Sequence, residues 1–328
     1  MGEFTLGFCE EFVKNASDVV VSKSVKGDYE YIEKILRQAV NNAAVTAPYF
    51  DPQDVLIYLQ GSYACKTNTK FQAKMEVVVE LQKTKEYDYD KMTAADFAMR
   101  DDFFVNFEYY FDVKRFKDAL VAEIQKLINH KVTVGVTNIL IPPLADLQHT
   151  IDVLPCFKYK YFTSDGASLR GKLVYDKTLD EHYLMFTNLH AANGELKDDI
   201  TQGNFKRMVR LFKHLVAISL REDMNIRGVR GYFVECMLYN VPNEMYFSAD
   251  GKLLSVFLKV INWLNFADLD DFVCQNQIWS FWGRADGFWY QSAARQFIND
   301  IIEFYQAFPD KRTEIIKPIT NEQKWLPK

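Results

Sequence analysis

Cysteine is scarce in this chain: there are five among 328 residues, at positions 9, 65, 156, 236 and 274. No two of them form a C-x-x-C pair, so the sequence has neither a disulfide framework nor a zinc-ligand spacing. Histidine is equally sparse, with five residues and no H-E-x-x-H pattern. This usage is typical of a protein whose thiols stay reduced, and we therefore expect a cytoplasmic location.

Long apolar runs are also lacking. The most apolar stretch, residues 253–266, is interrupted by Ser255, Lys259, Asn262 and Asn265, which argues against a membrane span there. The first residues read MGEFTLGFCEEF and have no basic segment, which argues against a secretory signal peptide. We therefore predict no membrane partner. Glycine (14) and proline (9) are few, so long flexible linkers are not expected.

Apolar residues are plentiful: they make up 48% of the chain, and aromatic residues alone make up 15%. A chain of this length and composition can bury the cores of about two domains. Lysine and arginine (39) are outnumbered by aspartate and glutamate (44), which gives a net charge of -5. This balance argues against a protein that holds a long nucleic-acid template through bulk charge, although it allows a local basic pocket for a small anion.

The first half of the chain mixes helical and strand patterns. Helical periodicity covers residues 28–45 and 116–128, and short apolar or β-branched runs predict several strands. These strands are residues 55–59, 75–81, 131–137, 139–141 and 150–154. We therefore predict an α+β fold, in which residues 1–165 form a lobe with a central mixed sheet and N-terminal helices.

The second half changes to helical patterns. The helix predicted over residues 204–221 has one apolar face. Its other positions carry cations, of which Lys206, Arg207 and Arg210 are expected to be ordinary surface charges. The other predicted helices are residues 232–239, 253–264 and 293–308. We interpret the polar segment 161–199 as the crossover, and we predict a helical lobe over residues 166–328 whose core holds Trp279, Trp282 and Trp289.

One ordered set of segments carries the functional inference. Gly61-Ser62-Tyr63 ends the first strand, Thr67-Asn68-Thr69 follows it, and the next strand reads Lys74-Met75-Glu76-Val77-Val78-Val79-Glu80-Leu81. Ile151-Asp152-Val153-Leu154-Pro155, residues 204–213 and residues 231–242 come later, in that order. Over nearly the whole chain this order resembles the DNA polymerase β-like nucleotidyltransferases, and within them the cGAS/DncV-like enzymes (CD-NTases), relatives of oligoadenylate synthetase.

The resemblance implies a fold, a reaction and a set of ligands. It implies a polymerase β-like nucleotidyltransferase lobe, followed by a helical lobe that closes a nucleotide cleft. The family reaction condenses nucleoside triphosphates into cyclic or linear oligonucleotide second messengers for antiviral defence. Two Mg²⁺ or Mn²⁺ ions activate the attacking hydroxyl and offset the phosphate charge. The implied partners are nucleoside triphosphates or short oligonucleotides, together with a separate effector protein from a defence operon.

The chain departs from the family pattern at the metal-binding positions. The family has D-x-D on a strand, and two residues with this spacing present their carboxylates to one face. Here the tripeptide is Lys74-Met75-Glu76, while the third acid, Asp152, stands as the family has it. By resemblance Glu76 and Asp152 are the candidate catalytic and metal-binding residues. Lys74 would repel a metal ion, and its ammonium group could instead contact the triphosphate or pair with a carboxylate.

The resemblance also implies the nucleotide-binding residues. Gly61 and Ser62 match the turn that offers N–H groups and a hydroxyl to the triphosphate, and Lys213 matches a lysine that contacts it. Lys74 is also a candidate nucleotide-binding residue, because it occupies the first position of the motif that the family reads as D-x-D. Gly231 stands where the family usually has a serine that touches the triphosphate. Simpler interpretations stay open: a strand-ending turn at Gly61, a solvent-facing Glu76, and surface lysines at 74 and 213.

Two functions therefore stay open. The first is a CD-NTase of the antiphage-signalling type whose catalysis is impaired or altered by Lys74-Met75-Glu76. The alternative is a pseudoenzyme, a catalytically inactive sensor or regulatory partner that binds nucleotides or oligonucleotides. A deliberate replacement at position 74 is a third explanation of the lysine, but Gly231 is a second, separate departure and favours natural divergence.

Overall fold

The computed structural model describes residues 8–19, 23–71, 74–82, 112–162, 168–221, 229–282 and 289–307. The packing of Cα atoms divides the chain into two compact units. The sheet unit comprises the described residues of 20–68 and 72–192, and the helical unit comprises those of 1–19, 69–71 and 193–328. The lobe boundary at residue 165 stays a prediction.

The strands of the sheet unit form one mixed sheet. Within the described ranges there are seven, in the order β1-β2-β5-β4-β3, with β6 paired to both β5 and β7. They are β1 (Val55–Gln60), β2 (Lys74–Leu81), β3 (Thr133–Val134), β4 (Ile139–Ile141), β5 (Thr150–Phe162), β6 (Ser168–Asp176) and β7 (Glu181–Met185). Strands β2 and β5 are parallel, and the other pairs are antiparallel. The predicted α+β class with a central mixed sheet is confirmed.

In the described part of the chain, six helices lie at the predicted positions, whereas three further helices, residues 10–17, 61–64 and 187–200, had no predicted bounds. In chain order the helices are α1 (Glu10–Ser17), α2 (Lys23–Thr46), α3 (Gly61–Ala64), α4 (Val113–Ile128), α5 (Thr187–Ile200), α6 (Asn204–Arg221), α7 (Gly231–Tyr239), α8 (Leu253–Phe266) and α9 (Gln291–Gln306). Residue 308 of the last predicted helix lies outside the described residues. No described helix is both long enough and apolar enough to cross a membrane.

One face of the sheet is closed by α2 and α4. Leu36 of α2 and Leu120 of α4 are fully buried in the same apolar cluster as Val77 of β2 and Val153 of β5. Successive residues of a strand face opposite sides of the sheet. The residues that alternate with this core, Glu76 among them, therefore lie on the opposite face, which carries the polar groups of interest.

The segment 161–199, interpreted from the sequence as a crossover, contains regular structure. It includes β6, β7 and most of α5, so that interpretation is wrong for these residues, while residues 163–167 lie outside the described part. The β6–β7 hairpin lacks a clear strand pattern in the sequence, because β7 has no buried residue and β6 buries a lysine, Lys172. Its turn is held by Asp176, whose Oδ1 accepts from the N–H groups of Thr178 and Leu179 at 2.7 and 3.0 Å.

The helical unit is built around α6 and α7. Its core joins α1 and α6–α9, and the helix predicted over residues 204–221 has the predicted bounds. Trp289 is buried in this core, and its ring centroid lies 5.3 Å from that of Phe233. Trp279 and Trp282 pack against the same cluster. The prediction that these tryptophans belong to the core is confirmed.

Candidate functional site

The Gly61-Ser62 turn lies where β1 ends and α3 begins. Gly61 has a φ of 67°, a left-handed conformation that residues with a Cβ rarely adopt. The carboxylate of Glu76 lies against it, since a methyl group on Gly61 would be 2.5 Å from Oε2 and 2.6 Å from Oε1. Cys65 closes the turn with an N–H that donates to the Gly61 carbonyl at 2.9 Å. The backbone conformation therefore favours glycine here, and a larger residue would also displace the Glu76 carboxylate.

Lys74, Glu76 and Asp152 share one face of the sheet. In the parallel pairing of β2 with β5, Glu76 lies beside Asp152 and Lys74 lies beside Thr150. Because residues two apart on a strand face the same side, Lys74 and Glu76 lie on the face that Asp152 occupies. Lys74 is exposed, whereas Glu76 and Asp152 are half-buried. The fold thus brings the three predicted residues together, with a cation at one of the three positions.

Two neighbours act on the charge of Asp152. Nδ2 of Asn138 donates a hydrogen bond to Oδ1 of Asp152. The ammonium group of Lys74 is close enough to stabilise the carboxylate electrostatically. Burial raises the pKa of Asp152 above its ordinary value, while the hydrogen bond from Asn138 and the charge of Lys74 oppose that rise. Asp152 is therefore a partly desolvated carboxylate with two stabilising partners.

Sequence reasoning missed Asn138. It lies in the turn between β3 and β4, where its carbonyl accepts from the Gly135 N–H at 2.9 Å. The buried Lys117 of α4 donates from Nζ to the carbonyls of Gly135 and Val136 at 2.9 and 3.0 Å. The only sequence signal is the turn chemistry of Gly135 and Asn138, which predicts a hairpin but not a contact with β5.

The donor set does not fit the two-metal centre that the family implies. Mg²⁺ prefers hard carboxylate oxygens, and Lys74 offers a positive charge and no acceptor. The carboxylate of Glu76 packs on Gly61, and one oxygen of Asp152 accepts from Asn138. Across the described ranges, no three side chains of His, Cys, Asp or Glu are grouped so that they could hold a metal ion. The expected Mg²⁺ or Mn²⁺ therefore has no matching ligand set among these residues.

A buried lysine fixes the strand end that precedes the Gly61 turn. Lys172 of β6 is 1% exposed, and its Nζ donates to Oε1 of Gln60 and, at 2.6 Å, to Oγ1 of Thr187. Thr187, the first residue of α5, also donates to Oε1 of Gln60 at 2.9 Å. Burial lowers the pKa of Lys172, and nearby charges that include Glu76 oppose this. Sequence reasoning missed this network because β6 lies in the segment interpreted as a crossover.

Lys213 lies in the helical unit between Gly231 and Glu235. Its Nζ forms a salt bridge with Oε1 of Glu235, and each side chain is 8% exposed. A methyl group on Gly231 would lie 2.9 Å from Cε of Lys213 and 3.3 Å from its Nζ. Gly231 and Glu235 are one turn apart on α7 and so share a face. A serine at position 231 would therefore push on the ammonium group that Glu235 binds here.

The other cations of α6 differ from their predicted surface role. Arg207 is exposed as expected, whereas Lys206 and Arg210 are each 5% exposed. Lys206 forms a salt bridge with Glu195, and Nε of Arg210 donates to the Ser17 carbonyl. The prediction fails for these two residues because α6 packs against α1, α7 and α8 and so has little face left for solvent.

Comparison with known proteins identifies relatives of this chain. Residues 192–306 match the cGAS/DncV-like nucleotidyltransferase C-terminal helical domain. A cyclic UMP-AMP synthase from Rhodothermus marinus is 29% identical to this chain over 248 residues, which are 74% of this chain and 81% of that protein. These matches make the chain similar to the cGAS/DncV-like nucleotidyltransferases.

One further relative and one solved structure extend the comparison. The cyclic nucleotide synthase CdnE01 from Staphylococcus haemolyticus is 27% identical over 259 residues, 76% of this chain and 84% of that protein. The solved CdnE c-UMP-AMP synthase of Rhodothermus marinus, with Apcpp and Upnpp, has a TM-score of 0.75 at 24% identity and covers 92% of this chain and 98% of its own. This likeness confirms the predicted polymerase β-like fold.

Proposed function

We propose that this cGAS/DncV-like chain is a protein of the antiphage-signalling type that binds nucleoside triphosphates or short oligonucleotides at the Gly61-Ser62 turn. One observation carries the proposal: the turn, Glu76 and Asp152 lie together on one face of the sheet. Nucleotide binding is also supported by the solved relative that carries Apcpp and Upnpp. Ser62 would contribute its hydroxyl, whereas the role of Lys213 as a phosphate contact stays a prediction from the family resemblance.

Synthesis by this chain is impaired because the chemistry at position 74 opposes a metal ion. Two-metal catalysis of nucleotidyl transfer depends on carboxylates that bridge the ions. Lys74 replaces one of them with a positive charge, and Glu76 packs on Gly61. The residues that remain can still bind and orient a nucleotide through the turn and its neighbouring cations.

The second candidate function is an inactive sensor or regulatory partner. It is favoured by the helical unit, where Gly231 lacks the hydroxyl expected of the family and the Lys213 ammonium is bound by Glu235. In both candidates a separate effector protein completes the pathway. A nuclease or membrane-pore gene beside this one would support that partnership.

Product analysis tests the proposal. The protein is incubated with the four labelled nucleoside triphosphates and Mg²⁺ or Mn²⁺, and the products are separated. We expect no more than trace oligonucleotide, together with an increase in melting temperature when a triphosphate or a cyclic dinucleotide is added. Robust Mg²⁺-dependent synthesis would contradict impaired catalysis. A melting temperature unchanged by every nucleotide would contradict the binding function.

Restoring the family residues provides the matched experiment. The double substitution Lys74→Asp with Glu76→Asp recreates D-x-D on β2, and we expect it to raise product formation well above the trace level. Lys131→Asp serves as the charge-matched control because Lys131 is an exposed residue just before β3. Product formation that rises only in the double variant would place the defect at residues 74 and 76. Equal product formation by the double variant and by Lys131→Asp would contradict that placement.

A further inference from the structure

The lysine at position 74 changes the charge of the site by the amount that one metal ion would supply. Replacing a carboxylate by an ammonium group changes the local charge by +2, which is the charge of one Mg²⁺. Lys74, Glu76 and Asp152 together carry -1, whereas three aspartates at these positions would carry -3. A triphosphate that approaches this face without a metal ion therefore meets far less repulsion than it would in the family pattern.

The geometry places this cation where it can act on phosphate. Lys74 is exposed on the face that carries Asp152, and it is close enough to affect that carboxylate electrostatically. It begins β2, two residues before Glu76, which itself contacts the Gly61 turn. A long, flexible lysine side chain can reach an anion held at that turn.

The two remaining carboxylates have roles that do not need a metal ion. Glu76 packs on Gly61, and its neighbour Gln60 is held by the buried Lys172. Asp152 accepts a hydrogen bond from Asn138, whose hairpin is held by α4. Each carboxylate is thus stabilised by groups of the chain itself.

From these observations we propose that the site binds a nucleoside triphosphate as the metal-free anion, with Lys74 supplying the positive charge that a divalent cation supplies elsewhere. This inference rests on the proposed nucleotide-binding function and specifies the form of its ligand. Mg²⁺ then competes with the protein for the same phosphate oxygens, because it neutralises the charge that Lys74 recognises.

Binding measurements with and without a chelator test the inference. Calorimetric titration of the full chain with ATP, CTP, GTP and UTP is performed in excess EDTA and again in excess MgCl₂. We expect the tightest of the four to bind at least as well in EDTA as in MgCl₂. We expect Lys74→Met to weaken binding in EDTA about tenfold, the effect of about one screened charge contact.

Two variants sharpen the comparison. Lys74→Asp with Glu76→Asp should reverse the preference, so that binding requires MgCl₂. Lys131→Met should leave both affinities unchanged, since Lys131 lies outside the site. Melting temperatures of the unliganded variants establish that each is folded.

The outcomes separate this inference from the function on which it rests. Binding by the wild-type protein only in MgCl₂, or equal affinities of wild-type protein and Lys74→Met in EDTA, would overturn the metal-free ligand and leave nucleotide binding intact. Failure of all four triphosphates to bind in either buffer would overturn the proposed function itself. Tight binding in EDTA that Lys74→Met weakens would support both.

Discussion

The buried salt bridge between Lys213 and Glu235 leads to a quantitative prediction about the helical unit. Replacing Lys213 by Met keeps the volume of the side chain but leaves the carboxylate of Glu235 buried without its ammonium partner. Replacing Glu235 by Gln leaves the converse defect. Replacing both removes the two charges together. The three variants therefore separate the interaction free energy of the salt bridge from the destabilisation caused by one buried charge that has lost its partner.

The burial of the pair sets the expected magnitude. Both side chains are 8% exposed, so neither charge can turn to solvent without movement of α6 or α7. Removing one partner of such a pair lowers the unfolding free energy by about 3–5 kcal/mol. Replacing both partners by uncharged residues of similar size changes the unfolding free energy much less. We expect a loss of about 3 kcal/mol for Lys213→Met and a loss of about 1 kcal/mol for the double variant.

Tryptophan fluorescence in urea measures this effect directly. Four of the five tryptophans, at positions 263, 279, 282 and 289, lie in the described part of the helical unit, so their emission reports on its unfolding. Arg207→Met is the matched control, because Arg207 is an exposed cation on the same helix. A loss below about 0.5 kcal/mol is expected for this control.

Two results would refute this reasoning. One is a Lys213→Met variant whose unfolding free energy lies within about 1 kcal/mol of the wild-type value, like that of a surface lysine. The other is a double variant whose loss equals the sum of the two single losses, because additivity would mean that the two side chains are not coupled.

Three further predictions concern other parts of the chain. Gly61→Ala should lower the unfolding free energy by about 2 kcal/mol in urea, through its φ of 67° and its clash with Glu76, and Glu76→Ala should recover part of that loss. Lys117→Met should lower the melting temperature, because two hairpin carbonyls lose their donor. Burial lowers the pKa of Lys197 from 10.5 to about 8. The unfolding free energy of the wild-type protein, measured relative to that of Lys197→Met, should therefore rise between pH 8 and 10.5. A difference that stays constant over this range would contradict the lowered pKa.

Much of the sheet unit could be predicted from the sequence because its strands have strong patterns. β1 and β2 are short apolar runs ended by a glycine turn and by polar residues, and Asp152 is a lone acid in a β-branched segment. The neighbouring positions of Glu76 and Asp152 followed from the family resemblance. Periodicity alone could not supply their register, since the two strands are far apart in sequence.

The contacts that complete the site had no comparable signal. Asn138 reaches Asp152 through a hairpin whose pairing with β5 depends on tertiary packing. Lys172 is a buried cation in a strand, and its burial contradicts the usual rule that lysines mark solvent-facing positions. The sequence predicts where strong apolar patterns lie, whereas the partners of buried polar groups depend on the completed fold.

The position of Cys65 has a practical consequence. Its thiol lies at the end of the Gly61 turn and is partly exposed, while Cys156, Cys236 and Cys274 are buried. In a Cys9→Ser variant, Cys65 is an attachment point for a fluorophore or spin label beside the proposed phosphate contact. The rate of thiol labelling at Cys65 would then follow changes at the turn in real time, without an engineered cysteine in the sheet.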